Sequence, residues 1–421
     1  MTNLLQLTAD RDDGRYFRRF RGSGRSNAAT RMSVWGPNSK SAHGYNVLYM
    51  FHLTCYPAGM PKSCYPDFTQ GRGAVANVGP TRFKLDAREA DGDWLDAREE
   101  LDGGLSPLHT TVTIERPKTI ISRNTSPDIP FDKSINPYRG CEHGCIYCYA
   151  RPSHAFHDLS PGLDFESRLF AKPDAPVLLH AELAKKGHIP TPIAFGTNTD
   201  CYQPIEAKWR IMRGCLEVLS ACEHPLTITT KSNRVLRDLD LLAPMAVKQL
   251  AAVCISITTL DSEIHRKLEP RAPHPKRRLE AVRGLAEAGV PVHVNVAPVI
   301  PAINDHEIEA ILAAAAEAGA VSASWIPVRL PHEVSALFQQ WLDAHFPDRA
   351  GKVMAIIRSI REGRDNDPSF FGRMRGSGPW ADLIRTRFQI ASRKAGLVGH
   401  KWQLRSDLFV PPRLDGQMSL F

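Results

Sequence analysis

Cys141-Glu-His-Gly-Cys145-Ile-Tyr-Cys148-Tyr149 is the stretch that decides how this chain is read. It places three thiols in eight residues at the spacing C-x3-C-x2-C. Three thiols cannot pair off as disulfides without leaving one over. Thiolates so close together can serve one metal centre. A [4Fe–4S] cluster is normally closed by four cysteines, so three leave one iron open to a small-molecule ligand. Gly144 lets the backbone turn tightly between the first two thiols. Tyr147 offers a flat ring beside such a centre. The alternative is zinc with His143, His154 or His157 as fourth ligand, although structural zinc ligands usually come as two separated pairs.

Composition sets outer bounds. The 421 residues suffice for one large domain or two ordinary ones, and 43% hydrophobic with 23% charged residues is ordinary for a globular protein. No apolar run approaches the roughly 20 residues that span a bilayer. The N-terminus lacks an apolar signal core. Nine cysteines, three of them in one loop, fit a reducing compartment and a metal site better than a disulfide framework. These features predict a cytoplasmic protein without a membrane segment. A formal charge of +8 and a pI near 9.0 favour a polyanionic partner.

Residues 1–69 show no sustained periodicity and read as a disordered extension. Their basic run from Arg15 to Arg25, with aromatics further on, also suits a nucleic-acid arm, and a native start further along is a third reading. Residues 70–109 read as a polar, flexible lead-in on the surface. From Thr110 short β-branched runs appear, and Ser134-Ile-Asn-Pro-Tyr138 is the strand that delivers the cysteine loop. After the loop, strands and helices alternate: helix from Ala175, strand at Pro192–Gly196, helix Lys208–Ser220, strand Leu226–Lys231, helix Asp238–Ala246, strand Ala251–Thr258, helix Pro275–Ala288, strand Pro291–Ala297, a helix opened by the capping-box-like Asn304-Asp-His-Glu307, and strand Val321–Ile326. Such alternation means parallel strands joined by right-handed crossovers. The predicted fold is α/β: a partial (β/α)6 barrel over 110–330, followed by a helical C-terminal extension, 331–421, with a mobile tail.

The cysteine loop resembles the C-x3-C-x-aromatic-C signature of the radical S-adenosylmethionine (radical SAM) superfamily. The flanks Ser134-Ile-Asn-Pro-Tyr-Arg-Gly-Cys141 and Tyr149-Ala-Arg-Pro-Ser-His154 are similar to the spore photoproduct lyase-like, DNA repair branch of that superfamily. The resemblance implies a [4Fe–4S] cluster on Cys141, Cys145 and Cys148, with SAM chelated by the open iron. It implies reductive cleavage of SAM to methionine and a 5′-deoxyadenosyl radical, fed by a donor such as flavodoxin or ferredoxin. It places Tyr147 near the adenine, with Tyr149 beside it. Thr199 and Asp200 at the second strand exit then suit the amino group of SAM, Lys231 at the third its carboxylate, and Ser256 with Thr258 on the fourth strand the ribose. Each has a plainer alternative: a turn, a surface lysine, polar residues on a barrel wall. Glu269 and Arg271 are a further charged contact or a local salt bridge. His293 and Asn295 line the pocket or form a satisfied core pair. Cys201 is the candidate hydrogen donor to a product radical.

In the C-terminal third, Arg373 and Arg375 with Trp380 read as phosphate and base contacts, or as a loop that closes the barrel. The last five residues, Gln417-Met-Ser-Leu-Phe421, resemble the peptide by which bacterial repair proteins dock on the DNA sliding clamp through Gln417, Leu420 and Phe421. An apolar terminus packed on the barrel is the alternative. The expected function is therefore a radical SAM enzyme acting on DNA or a nucleic-acid base. Modification of a protein or small molecule is the alternative within enzymes. A non-catalytic, DNA-associated iron–sulfur protein and a zinc-stabilised binding module stand outside that class.

Overall fold

A computed structural model of the chain describes residues 72–75, 77, 109–398 and 403–413. The chain divides into Met1–Cys64 and Tyr65–Phe421, and all described residues belong to the second unit. The expectations for 1–69, for the rest of 70–109 and for Gln417, Leu420 and Phe421 lie outside the described residues.

Six strands are parallel: β3 (Lys133–Ile135), β6 (Ile193–Phe195), β7 (Leu226–Thr230), β8 (Ala251–Ser256), β9 (Val292–Val299) and β10 (Ser322–Pro327). β2 (Ser122–Arg123) pairs antiparallel with β3 at one edge, giving the order β10-β9-β8-β7-β6-β3-β2. A second sheet sets β5 (Arg168–Ala171) between β1 (Thr111–Ile114) and β4 (Tyr138–Arg139). The expected alternation is thus present, six parallel strands deep. β8, Ala-Ala-Val-Cys-Ile-Ser, is buried at every position but Cys254, as a parallel strand covered on both faces must be. β9 alternates: Val292, Val294 and Val296 are buried while His293 and Asn295 share the opposite face.

Helices α1 (Ala175–Leu183), α2 (Ile211–Ala221), α3 (Leu239–Val247), α4 (Pro275–Glu287) and α5 (Ile308–Glu317) pack outside this sheet. Their apolar faces, with Leu179, Leu216, Leu242, Leu285 and Ile311, meet Phe195, Ile228, Val253 and Val294 in one core. The helix expected at Lys208–Ser220 is interrupted by Arg210, whose φ is 51°. The break seats the buried Glu206, which accepts from Met212 N (3.2 Å) and pairs with Arg237 (2.8 Å). The capping box expected at Asn304 is absent. Its side-chain amide instead donates to the carbonyls of Thr258 (2.7 Å) and Pro298 (3.0 Å), while Glu307 accepts from the backbone of Leu260 (2.7 Å) and Asp261 (3.2 Å). Residues that read as a helix cap pin the loop after β8.

α6 (Glu333–His345) and α7 (Pro347–Ser359) form a second core with Ile300, Val328, Ile146 and Tyr147, so the C-terminal helices pack directly under the cysteine loop. α8 (Gly378–Lys394) lies against α5 and β10. Part of the expected mobile tail is tied down: Arg405 N donates to Gln249 O and Val410 N to Cys222 O, each at 2.9 Å. Gln249 and Cys222 precede β8 and β7, so this segment crosses the strand starts, opposite the cysteines. Among the described residues no helix is long and apolar enough to cross a membrane.

Candidate active site at the cysteine loop

The loop Cys141–Cys148 leaves β4 and is fixed from several directions. Cys141 N donates to Phe165 O (2.9 Å), and Ile146 N to Leu268 O (3.1 Å). The fully buried Arg151 guanidinium donates to the carbonyls of Cys145 (2.9 Å), Gly144 (3.3 Å), Pro161 (3.0 Å) and Gly162 (2.9 Å). Its counter-charge is Glu166 at 2.6 Å, and neither side chain meets solvent. Glu166 also accepts from the backbone N–H groups of Gly73 (2.9 Å) and Ala74 (2.8 Å). The expectation of a surface lead-in is corrected here: Gly73 and Ala74 are buried against the loop. Gly73 is required by contact, since a Cβ there would lie 1.6 Å from Gly144 O. Gly144 is required by conformation, with φ +67°.

All three loop thiols are free. Cys141 and Cys145 are buried, and Cys141 packs with Cys148 around Ala150 and Phe165. Burial pushes the Cys145 thiol up to about 12, against the pull of Lys231. Burial, then Asp200 and the other two cysteines, raise Cys141. Among the described residues no three Cys, His, Asp or Glu side chains converge closely enough to hold a single metal ion. The histidines considered as a fourth zinc ligand sit in different surroundings. His143 Nδ1 faces Asp200 at 3.4 Å, His154 Nε2 meets Arg168 O at 2.9 Å, and His157 stacks on Phe170 at 4.5 Å.

The strand exits bring several predicted residues to the loop. Asp200 is used by the fold: it accepts from Tyr202 N (2.9 Å), Thr230 Oγ1 (2.7 Å) and Lys231 N (2.8 Å). Thr199 is buried and donates to Tyr138 O (2.9 Å). Lys231 makes no ion pair among the described residues, and its Nζ lies 5.8 Å from the centre of the Tyr147 ring. Burial pulls Lys231 down, but Cys145 and Glu269 outweigh it and leave it raised. Tyr147 donates its hydroxyl to Glu269, which also accepts from Thr258 Oγ1 (2.7 Å) and pairs with Arg278. Burial alone would raise the Glu269 carboxyl; Arg278 and Lys231 hold it well below the usual carboxylate range. Ser256 is buried and pairs in register with Asn295 across the β8–β9 ladder.

The remaining candidate residues lie further from the loop or make structural contacts. Cys201 is fully buried and packs in the sheet–helix core. Arg271 does not pair with its neighbour Glu269; it reaches Glu142 of the cysteine loop at 3.1 Å. His293 bonds Ser322 (2.8 Å) and Ser324 (2.7 Å), and Ser324 bonds Asn295 (3.1 Å), a satisfied polar layer. Arg373 is held bidentately by Asp128 at 2.7 and 2.6 Å, and the Trp380 ring nitrogen donates to Asp305 at 3.3 Å; both are structural ties, leaving Arg375 exposed. Sequence reading missed Arg151 and Glu166. Arg151 stands three residues after Cys148 in a motif otherwise quoted for its cysteines, and that proximity was the available signal.

A family model, the radical SAM superfamily, matches residues 135–315, from β3 through α5. An uncharacterised protein of Mycobacterium tuberculosis is 34% identical over 232 residues, 55% of this chain and 68% of its own length. The chain belongs to the radical SAM superfamily. An uncharacterised protein of Methanocaldococcus jannaschii is 30% identical over 173 residues, 41% of this radical SAM chain and 62% of its own length. Spore photoproduct lyase complexed with dinucleoside spore photoproduct is a similar solved structure, with a TM-score of 0.48 and 14% identity over 67% of this chain and 79% of that one.

Proposed function

We propose that Cys141, Cys145 and Cys148 hold a [4Fe–4S] cluster, that SAM binds its open iron, and that the enzyme acts on a nucleic-acid base. Bound there, cluster and SAM supply reductive, one-electron cleavage of SAM. Support comes from one juxtaposition: three free thiols share one fixed loop, and the buried Lys231 ammonium, which acts on the Cys145 thiol and on Glu269, forms no close ion pair among the described residues. Lys231 suits the carboxylate of SAM as a point charge. Tyr147 is oriented by Glu269 and Thr258, so its ring is a fixed wall for an adenine. The second core beneath the loop excludes water from that side. The choice of a nucleic acid draws on the +8 net charge and on the basic, aromatic rim described below.

The test is anaerobic reconstitution with iron and sulfide, then SAM and dithionite, with 5′-deoxyadenosine measured by chromatography. Wild-type protein is expected to form it and Cys145→Ala to form none. Equal yield from Cys145→Ala would remove the cluster assignment. Added ultraviolet-irradiated DNA is expected to show altered nucleosides after digestion, and unaltered nucleosides would reject the nucleic-acid substrate alone.

A further inference from the structure

Three guanidinium groups gather where the sixth parallel strand ends. Arg373 is neutralised by Asp128, as described. Arg361 is 1% exposed, and its Nη atoms meet only the carbonyls of Gly372 (2.8 Å) and Val328 (3.2 Å). Arg329, two residues beyond β10, is half-buried, and its Nη1 meets only the Met374 sulfur at 3.4 Å. The Nε of each of these two is shielded from solvent with no hydrogen-bond partner. A guanidinium stays charged inside a protein. Burying it without a counter-ion is unfavourable, and hydrogen bonds to neutral carbonyls do not balance the charge. This corner therefore carries two positive charges that no carboxylate among the described residues neutralises by an ion pair.

The corner adjoins the cysteine loop. Arg329 Cζ lies 5.3 Å from the centre of the Tyr149 ring, and Tyr149 directly follows Cys148. Tyr149 also donates its hydroxyl to Thr197 O, at the exit of the second parallel strand. Its residue is 49% exposed, as is Phe371, beside Phe370 at 52%. Phe371 has φ +63°, a conformation that a bulky residue adopts only when held there. The holding contact is Phe371 N to Asp128 Oδ2 at 3.1 Å, within the same turn that carries Arg373. Exposed rings around unneutralised guanidinium groups are the combination that reads single-stranded nucleic acid: phosphate oxygens take the forked donors and bases stack on the rings.

We infer that Arg329, backed by the buried positive charge of Arg361, is a phosphate subsite, taking one phosphodiester group of a single-stranded or flipped-out substrate beside the cysteine loop, with Tyr149 and the Phe370–Phe371 pair offering rings to its bases. The inference rests on the nucleic-acid reading above and supplies it with a binding residue, Arg329.

The experiment measures anisotropy of a fluorescein-labelled oligothymidylate with the reconstituted full-length protein across a salt series. Arg329→Gln is compared with wild type and with Arg387→Gln, a surface control paired to Glu309 on the flank of α8. Iron content per chain checks the fold of each variant. Arg329→Gln is expected to weaken binding about tenfold and to flatten the slope of log affinity against log salt by about 0.7, one single-strand phosphate contact. Arg387→Gln is expected to change neither. If Arg329→Gln fails to load iron, Arg329→Lys decides: affinity lost with the slope retained supports the subsite, and unchanged affinity overturns it. Wild-type affinity in Arg329→Gln overturns it, as does wild type that binds no oligonucleotide. So does Arg329-dependent binding of an oligoglutamate peptide in place of the oligonucleotide. Failure of the radical SAM reading is seen separately, as absent 5′-deoxyadenosine from wild type.

Discussion

Glu269 shows how one carboxylate sets the site at the residue scale. It receives Tyr147 and Thr258 and neutralises the buried Arg278, with no solvent to share the charge. Removing one partner of such a pair strands the other in a low-dielectric interior, at a typical loss of about 3 kcal/mol. Glu269→Gln is therefore expected to lower the unfolding free energy by about that much in urea titration. An unchanged midpoint would mean that Arg278 finds another acceptor. The three cysteines were legible in the sequence because their relation is local, eight residues in one loop. Glu166 was not, since its backbone partners lie 92 and 93 positions upstream. The partners of Asp200 were equally hidden: Thr230 and Lys231 are 30 and 31 positions away, and a sequence does not show which acceptors the fold will occupy.

At the scale of elements, the segment Arg72–Val75 behaves as part of the cysteine loop. Its two amides and the Arg151 guanidinium converge on one carboxylate, so the loop, the segment and the helical turn Leu163–Ser167 move as a unit. Gly73→Ala places a methyl 1.6 Å from Gly144 O, a backbone atom with no rotamer to change. The segment must then lift off Glu166. The expected result is less iron retained per chain after desalting and faster bleaching of the cluster in air, read by visible absorbance. Wild-type retention would show that Glu166 holds the loop without these amides. Strands and helices were largely legible, because period-2 and period-3.6 patterns report their own covered faces. The errors fell at element ends, where a buried polar group overrides local preference: Glu206 breaks a helix, and Asn304 turns from cap to cross-link.

Acid should loosen the described unit as a whole. His154, His224 and His293 are each held down to about 4, chiefly by burial. His224 shares one proton with His188 across 3.0 Å, and His188 is likewise at about 4. These rings are neutral in the folded state, while in the unfolded chain they take up protons once pH falls below about 6.5. The unfolded state then binds more protons, so stability is fully present above about pH 6.5 and is lost as pH falls toward 4. Each fully buried ring accounts for at most about 3 kcal/mol across that window. His224→Gln is expected to flatten the dependence of urea unfolding on pH between 6.5 and 4.5, and an unaltered slope would assign the acid lability elsewhere. The bonds that fix the cysteine loop also carry an order in time. Ribosomes release Arg72–Val75 first, the thiols later, Glu166 later still, and Leu268, which accepts from Ile146 N, more than a hundred residues after the loop. A nascent chain halted before that point already has Phe165, Arg151 and Glu166 to hold the first part of the loop but lacks the anchor of Ile146, so the three cysteines reach their full set of bonds only late in elongation.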